Sequence, residues 1–215
     1  THVLLGGGPS PRQGGTLRLA GKEPLQPRIV MPILSAEPNV FPETLLDEAP
    51  RGCSDRSWYA VYTKARQEKA LARELIQHRI PFYLPLVKKI NVSRGRRRTS
   101  LAPLFGGYLF LFADESERVR CLATNRVSRV LQVEDADRFV FDLRQLRQLI
   151  AAGAPLTVES RLDEGRQVRV RRGAFAGLEG TVVKRRGETR LLVCINFLQK
   201  GASVEIDDFL LEPLD

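Results

Sequence analysis

Between Gln167 and Gly187 the chain reads QVRVRRGAFAGLEGTVVKRRG, a run that few architectures accept. Val168 and Val170 alternate with polar residues, the period of a strand with one buried face. Gly173, Gly177 and Gly180 then interrupt the pattern before Thr181, Val182 and Val183 resume it. This spacing predicts two strands joined by a tight turn, the glycines supplying backbone angles that a Cβ resists. Phe175 is left at the tip. An aromatic held there is either a lid on a small core or an exposed anchor for another protein. With a further strand expected at residues 204–206, residues 164–215 are predicted to form a small β domain.

The other functions open to the chain narrow quickly. No apolar run approaches the roughly 18 residues of a membrane span, and no basic-then-apolar leader opens the sequence. Three scattered cysteines, Cys53, Cys121 and Cys194, and two histidines make neither a disulfide framework nor a zinc site. A reducing, cytoplasmic location is therefore expected, with no cofactor, no metal and no membrane partner. Residues 173–180 lack the Gly-Lys-Ser/Thr ending of a phosphate-binding loop. His78 lies beside Arg79 with no nucleophile or carboxylate at a catalytic spacing. Asp207 and Asp208 read as a solvated acidic pair. No catalytic residue is predicted.

Charge separates the chain into three regions. Residues 1–56 and 151–215 are each neutral, whereas residues 57–150 carry eighteen Lys/Arg against nine Asp/Glu and hold the entire net charge of +9. Such asymmetry predicts an anionic partner for the middle region. Its cations concentrate in two places. Lys88, Lys89, Arg94, Arg96, Arg97 and Arg98 crowd one hairpin, and Lys64, Arg66, Lys69 and Arg73 line a helix. Phosphate neutralisation by such residues gives sequence-tolerant, salt-sensitive attraction to nucleic acid. Arg66, Gln67 and Arg73 are candidates for reading bases, since Arg pairs bidentately with guanine and Gln with adenine.

Residues 1–56 read as a Pro- and Gly-rich extension, largely disordered, with no period long enough to bury a face. Its one candidate for docking is residues 39–43, through Val40 and Phe41. The only methionine is Met31, which points to native translation beginning there, with residues 1–30 as upstream sequence.

From Ser57 the texture is that of a compact domain with sheet and helices, residues 57–152. Trp58 to Thr63 is aromatic and β-rich, a strand. Residues 64–79 are strong helix formers with Leu71, Ala72, Leu75 and Ile76 on one side, ending at Pro81. Strands are predicted at 82–92, 109–112 and 127–133. A short acidic-led helix is expected at 114–124 and a final helix at 141–152. A linker, 153–163, follows.

Three blocks in this order resemble the NusG family of transcription elongation factors. They are Trp58 and Tyr59 followed by Thr63, Lys64 and residues 67–70; Pro103 to Phe110 with its Gly-Tyr turn; and the glycine-punctuated run, which resembles a KOW motif. Gly106 stands where the family commonly has proline, so a looser turn before Tyr108 is expected. Residues 195–200, the N-terminal extension and the Pro103–Phe105 lead-in are most similar to specialised paralogues of the RfaH and UpxY type.

The resemblance implies an α+β architecture: an NGN domain with an antiparallel sheet flanked by helices, then an SH3-like KOW barrel. It implies transcription elongation or antitermination without catalysis, by a monomer. RNA polymerase is the main partner, its clamp helices in the largest catalytic subunit gripped by positions matching Tyr62, Phe105, Tyr108 and Phe110. Read from alternation alone, these aromatics are better suited to filling the core than to a surface contact; it is the resemblance that favours the clamp for Phe105 and Tyr108. Upstream or non-template DNA is the second partner, on the basic hairpin and helix. The KOW domain would recruit a small-subunit ribosomal protein (NusE) or Rho through Phe175, Arg171 and Arg172. The rival expectation is a KOW-type RNA-binding or ribosome-associated module.

Overall fold

The computed structural model describes residues 37–47, 55–93, 95–159, 165–185, 187–207 and 210–214. Along the N-terminal half run β1 (Val40–Phe41), β2 (Ser57–Thr63), α1 (Glu68–Gln77), β3 (Phe82–Tyr83), β4 (Leu86–Ser93), β5 (Arg96–Pro103), β6 (Tyr108–Ala113), α2 (Glu115–Ala123), β7 (Val127–Gln132) and α3 (Ala136–Ala151). Five of these strands make one antiparallel sheet in the order β1-β3-β6-β2-β7. Side chains alternate across a sheet. On β6, Leu109 and Leu111 pack with Leu71, Ala72 and Leu75 of α1 and Cys121 of α2, while Phe110 and Phe112 join Trp58 and α3 on the other side. Both faces are thus covered, which is why β6 reads as a continuous apolar run.

Local chemistry explains where the elements depart from expectation. The first helix begins at Glu68 rather than at residue 64, because Arg66 takes a left-handed φ of 59° and breaks the turn before it. The strand expected over 82–92 is split at Pro85, which cannot donate to a ladder, into β3 in the main sheet and β4 in a separate hairpin with β5. The short acidic helix forms as expected. Asp114 accepts from the Glu117 N–H at 2.8 Å and the Glu117 carboxylate accepts from the Asp114 N–H, a reciprocal cap that fixes its start. The last helix starts earlier than expected, at Ala136, where the Asp135 side chain accepts from the Arg138 N–H.

The extension also needs correction. Its stretch 37–47 is part of the fold: Val40 and Phe41 pair with Tyr83 and Phe82 as an edge strand, as their candidate docking role anticipated. Leu45 and Leu46 are buried, Arg147 pairs with Asp47, and Glu37 meets Arg73. Met31 and residues 1–30 lie outside the described residues.

The C-terminal half comprises β8 (Thr157–Glu159), β9 (Arg166–Val170), β10 (Glu179–Arg185), β11 (Glu188–Ile195), a single 3-10 turn (Asn196–Leu198), β12 (Lys200–Glu205) and β13 (Leu211–Pro213). They pair antiparallel in the order β13-β9-β10-β11-β12-β8, a six-stranded sheet whose ladder does not close into a barrel among the described residues. Val168 and Val170 face inward as their alternation predicts. Gly173 and Gly177 take φ of 93° and 82°, but Gly180 does not enter the left-handed region. Its reason for being glycine is proximity: a Cβ there would sit 2.5 Å from the Leu192 carbonyl oxygen. Phe175 packs on the core rather than standing free, so of its two expected roles the lid is the one observed.

The two halves share one hydrophobic core through α3. Leu143, Leu146 and Leu149 are fully buried in a cluster that also holds Val168, Leu178, Leu191 and Val193 of the second sheet. Phe139 meets Phe197 edge-on at 5.9 Å. Beside this apolar seam, three helix positions spaced by three residues engage the other half. The Asp142 carboxylate accepts from the Asn196 N–H (2.9 Å), Gln145 Oε1 accepts from the Glu179 N–H (3.0 Å), and Gln148 Nε2 donates to the Ala176 carbonyl (2.8 Å). Such spacing puts all three on one side of the helix.

Candidate functional site

At the end of the sheet where β2 meets β6, Tyr62 and Tyr108 lie side by side, ring centroids 5.2 Å apart. They are cross-strand partners. Tyr62 remains 43% exposed and Tyr108 is half-buried, with the Lys200 ammonium 5.9 Å from its ring centroid. Gly107 lies beneath Tyr62. Its φ is +84°, and a Cβ there would come within 2.8 Å of the Tyr62 ring. Sequence reasoning expected a loose turn here, but the peptide groups are tied down. The Thr63 N–H donates to the Gly107 carbonyl (2.8 Å), the Gly107 N–H to the Glu68 carboxylate (2.7 Å), and the Tyr108 N–H to the Phe105 carbonyl (3.1 Å). Glu68 is itself buried at the start of α1, so helix, turn and both tyrosines are fixed together.

Phe105 and Phe110, expected alongside these tyrosines as contact residues, are placed in the core. Phe105 is 2% exposed, and Phe110 is fully buried edge-on to Phe139 at 5.4 Å. Neither ring is presented to a partner in this arrangement, because α3 and the second sheet cover the face they share. The candidate protein-binding surface is therefore the Tyr62–Tyr108 pair.

The expected nucleic-acid residues divide sharply by environment. Lys88, Lys89, Arg96, Arg97 and Arg98 are all exposed on β4 and β5, and among the described residues no carboxylate pairs with any of them. Arg94 lies outside the described residues. The helix cations are more engaged. Arg73 reaches Glu37 at 2.9 Å and Lys69 the same carboxylate at 3.8 Å, while Lys64 donates to Asn125 at 2.6 Å. Gln67 Oε1 accepts from Arg126 (2.6 Å), which also pairs with Glu74 (2.8 Å), so its amide oxygen is committed within the chain. Arg66 is exposed. Exposed ion pairs of the Arg73–Glu37 kind contribute at most about 1 kcal/mol, so phosphate can compete for them. The hairpin needs no such exchange.

In the C-terminal half, Arg171 is 63% exposed and lies 3.9 Å from Glu212, and Arg172 is exposed nearby. Phe175 is half-buried in a loop whose Ala176 carbonyl is held by Gln148. The structure thus brings the two arginines to the surface and turns the aromatic inward. Between α3 and the second sheet lies a cavity of about 420 Å³ lined by Arg138, Asp142, Gln145, Gln167, Thr181 and Cys194. Burial pushes the Asp142 carboxyl above the usual aspartate range, against the opposing pull of the Asn196 N–H and of Arg138. Burial likewise lifts the Cys194 thiol to about 11, which leaves it an unreactive thiol at neutral pH. Among the described residues no group of three His, Cys, Asp or Glu side chains is placed to hold a metal ion.

Three contributors escaped sequence reasoning: Glu68, Arg126, and the polar side of α3. Each acts across 28 or more positions of chain, through Gly107, Gln67 and the second sheet, so no local pattern announces it.

With this geometry in view, residues 56–149 match the NusG family model, described as transcription termination factor nusG. The match begins next to β2 and ends within α3, and contains both the tyrosine pair and the basic hairpin. The match covers less than half of the chain; over that segment the chain is similar to a family of non-enzymatic transcription factors that typically bind RNA polymerase, which supports a role in transcription in general. Among the described residues no helix is long and apolar enough to cross a membrane.

Proposed function

We propose that this chain is an elongation or antitermination factor of the specialised RfaH/UpxY type, working on RNA polymerase. The Tyr62–Tyr108 pair would grip the clamp helices of the largest catalytic subunit, favouring the closed, elongation-competent state and so suppressing pausing or termination. The observation that carries this reading is a tyrosine pair, Tyr62 exposed and Tyr108 half-buried, on a hydrogen-bonded turn within the matched segment. Aromatic anchors that are pre-ordered lose little entropy on binding and dominate interface energies. The β4–β5 hairpin would lie on upstream or non-template DNA. The C-terminal half, with its KOW-like run, would act as an SH3-like module that recruits a second partner such as NusE or Rho, raising that partner's effective concentration.

The alternative of a ribosome- or RNA-directed module is separated by one experiment. Tagged protein is expected to capture RNA polymerase from lysate and to shorten pauses in a purified transcription assay. Capture of ribosomes that persists after polymerase depletion, with no change in pausing, would reject the proposal in favour of that alternative.

A further inference from the structure

The β4–β5 hairpin belongs to neither large sheet. It is a two-stranded ribbon whose base is fixed by buried Leu86 and by the Leu104 N–H donating to the Pro85 carbonyl (2.8 Å). From Lys88 to Ser93 it extends about 17 Å. Directly opposed residues share a face. The register Lys88↔Leu101, Ile90↔Thr99 and Val92↔Arg97 therefore defines one face, and Lys89↔Ser100 and Asn91↔Arg98 the other. Beyond Val87 and Ala102 at its base, the second face is polar. The first places Ile90 and Val92, 64% and 67% exposed, between Lys88 and Arg97. They are the most exposed large apolar side chains among the described residues, and they sit in a segment with six cations and no acidic residue.

A bare aliphatic centre framed by unpaired cations fits a polyanion that also offers apolar contact. A two-stranded ribbon fits the major groove of duplex DNA, where thymine methyls supply that contact. Single strands are favoured by aromatic stacking platforms, and residues 86–103 hold no aromatic side chain. We propose that this arm lies in the major groove of double-stranded DNA, with Ile90 and Val92 against thymine methyls and Lys88 and Arg97 beside them on phosphates. The inference rests on the DNA contact proposed above and assigns it a groove, a face and a base preference.

The test is fluorescence anisotropy of the full chain on an A·T-rich duplex and on the same duplex with uracil replacing thymine. Wild type is expected to bind the thymine duplex more tightly, by roughly fourfold per methyl contacted. Ile90→Ala with Val92→Ala is expected to weaken thymine-duplex binding roughly tenfold, to leave the salt slope unchanged and to erase the uracil effect. Both side chains are too exposed for their truncation to disturb folding. In a parallel variant, Arg96, Arg97 and Arg98 to alanine should lower the salt slope by about 2.7. A wild type indifferent to uracil, or an apolar variant that binds as well as wild type, overturns the groove assignment. If the arginine variant still shows its lowered slope in that case, the DNA contact itself stands. No duplex binding by wild type at all defeats both. So does an Ile90- and Val92-dependent attachment to anionic vesicles alone.

Discussion

Replacing Phe139 with alanine is expected to destabilise the protein by about 3–5 kcal/mol, the cost of deleting a large buried aromatic and leaving a cavity. Phe139 is 2% exposed and stands among three other rings, edge-on to Trp58 at 5.8 Å, to Phe110 at 5.4 Å and to Phe197 at 5.9 Å. Two of those rings belong to the first sheet and one to the C-terminal half, so a single truncation loosens the seam between the halves as well as the core. Each ring pair adds roughly 0.5–1.5 kcal/mol beyond its area. The check is urea unfolding, where the midpoint should fall by about 2 M if the slope is that of a domain this size. Phe197→Ala, at a ring still 39% exposed, should cost far less. The double variant should cost less than the sum of the two, because the rings touch. A Phe139→Ala midpoint within error of wild type contradicts a shared core.

The second large effect is on binding. Tyr62→Ala combined with Tyr108→Ala is expected to lower polymerase affinity at least a hundredfold, since truncating a central aromatic anchor costs about 2–4 kcal/mol. Tyr62 is exposed enough that its loss should not unfold the sheet. Tyr108 is half-buried, so a thermal melt must accompany the binding measurement. If the melt is preserved and affinity is unchanged, the tyrosine pair is not the contact. Glu68→Gln provides a graded control. Its amide oxygen can still accept from the Gly107 N–H, so binding should survive, whereas Glu68→Ala should weaken it by releasing the turn.

Much of this arrangement was legible because it is written locally. The alternation of Val168 and Val170, the stripe of Leu71, Ala72 and Leu75, and the acid-led start of α2 each depend on neighbours within a few residues. What was not legible depends on distant partners. Phe105 and Phe110 were open to either a surface or a core role, since alternation cannot say what lies over a sheet face. The answer came from α3 and a second sheet tens of residues later in the chain. Gly180 looked like a turn glycine by company, but it lies within β10 and is glycine because the Leu192 carbonyl lies against it. The charge pattern located the basic hairpin, yet gave no sign that Glu37 from the extension engages Lys69 and Arg73. The two faces of the hairpin became distinguishable only once its register was known.

The central claim is that the Tyr62–Tyr108 pair, through its exposed Tyr62 ring, meets RNA polymerase. It is tested most directly by placing a photo-crosslinking residue at position 62 and irradiating the full chain with purified polymerase. The expected product joins the chain to the clamp helices of the largest catalytic subunit, and a matching label at the buried position 110 should give none. An irradiated complex in which position 62 joins no polymerase subunit, while the chain demonstrably remains bound, would contradict the account.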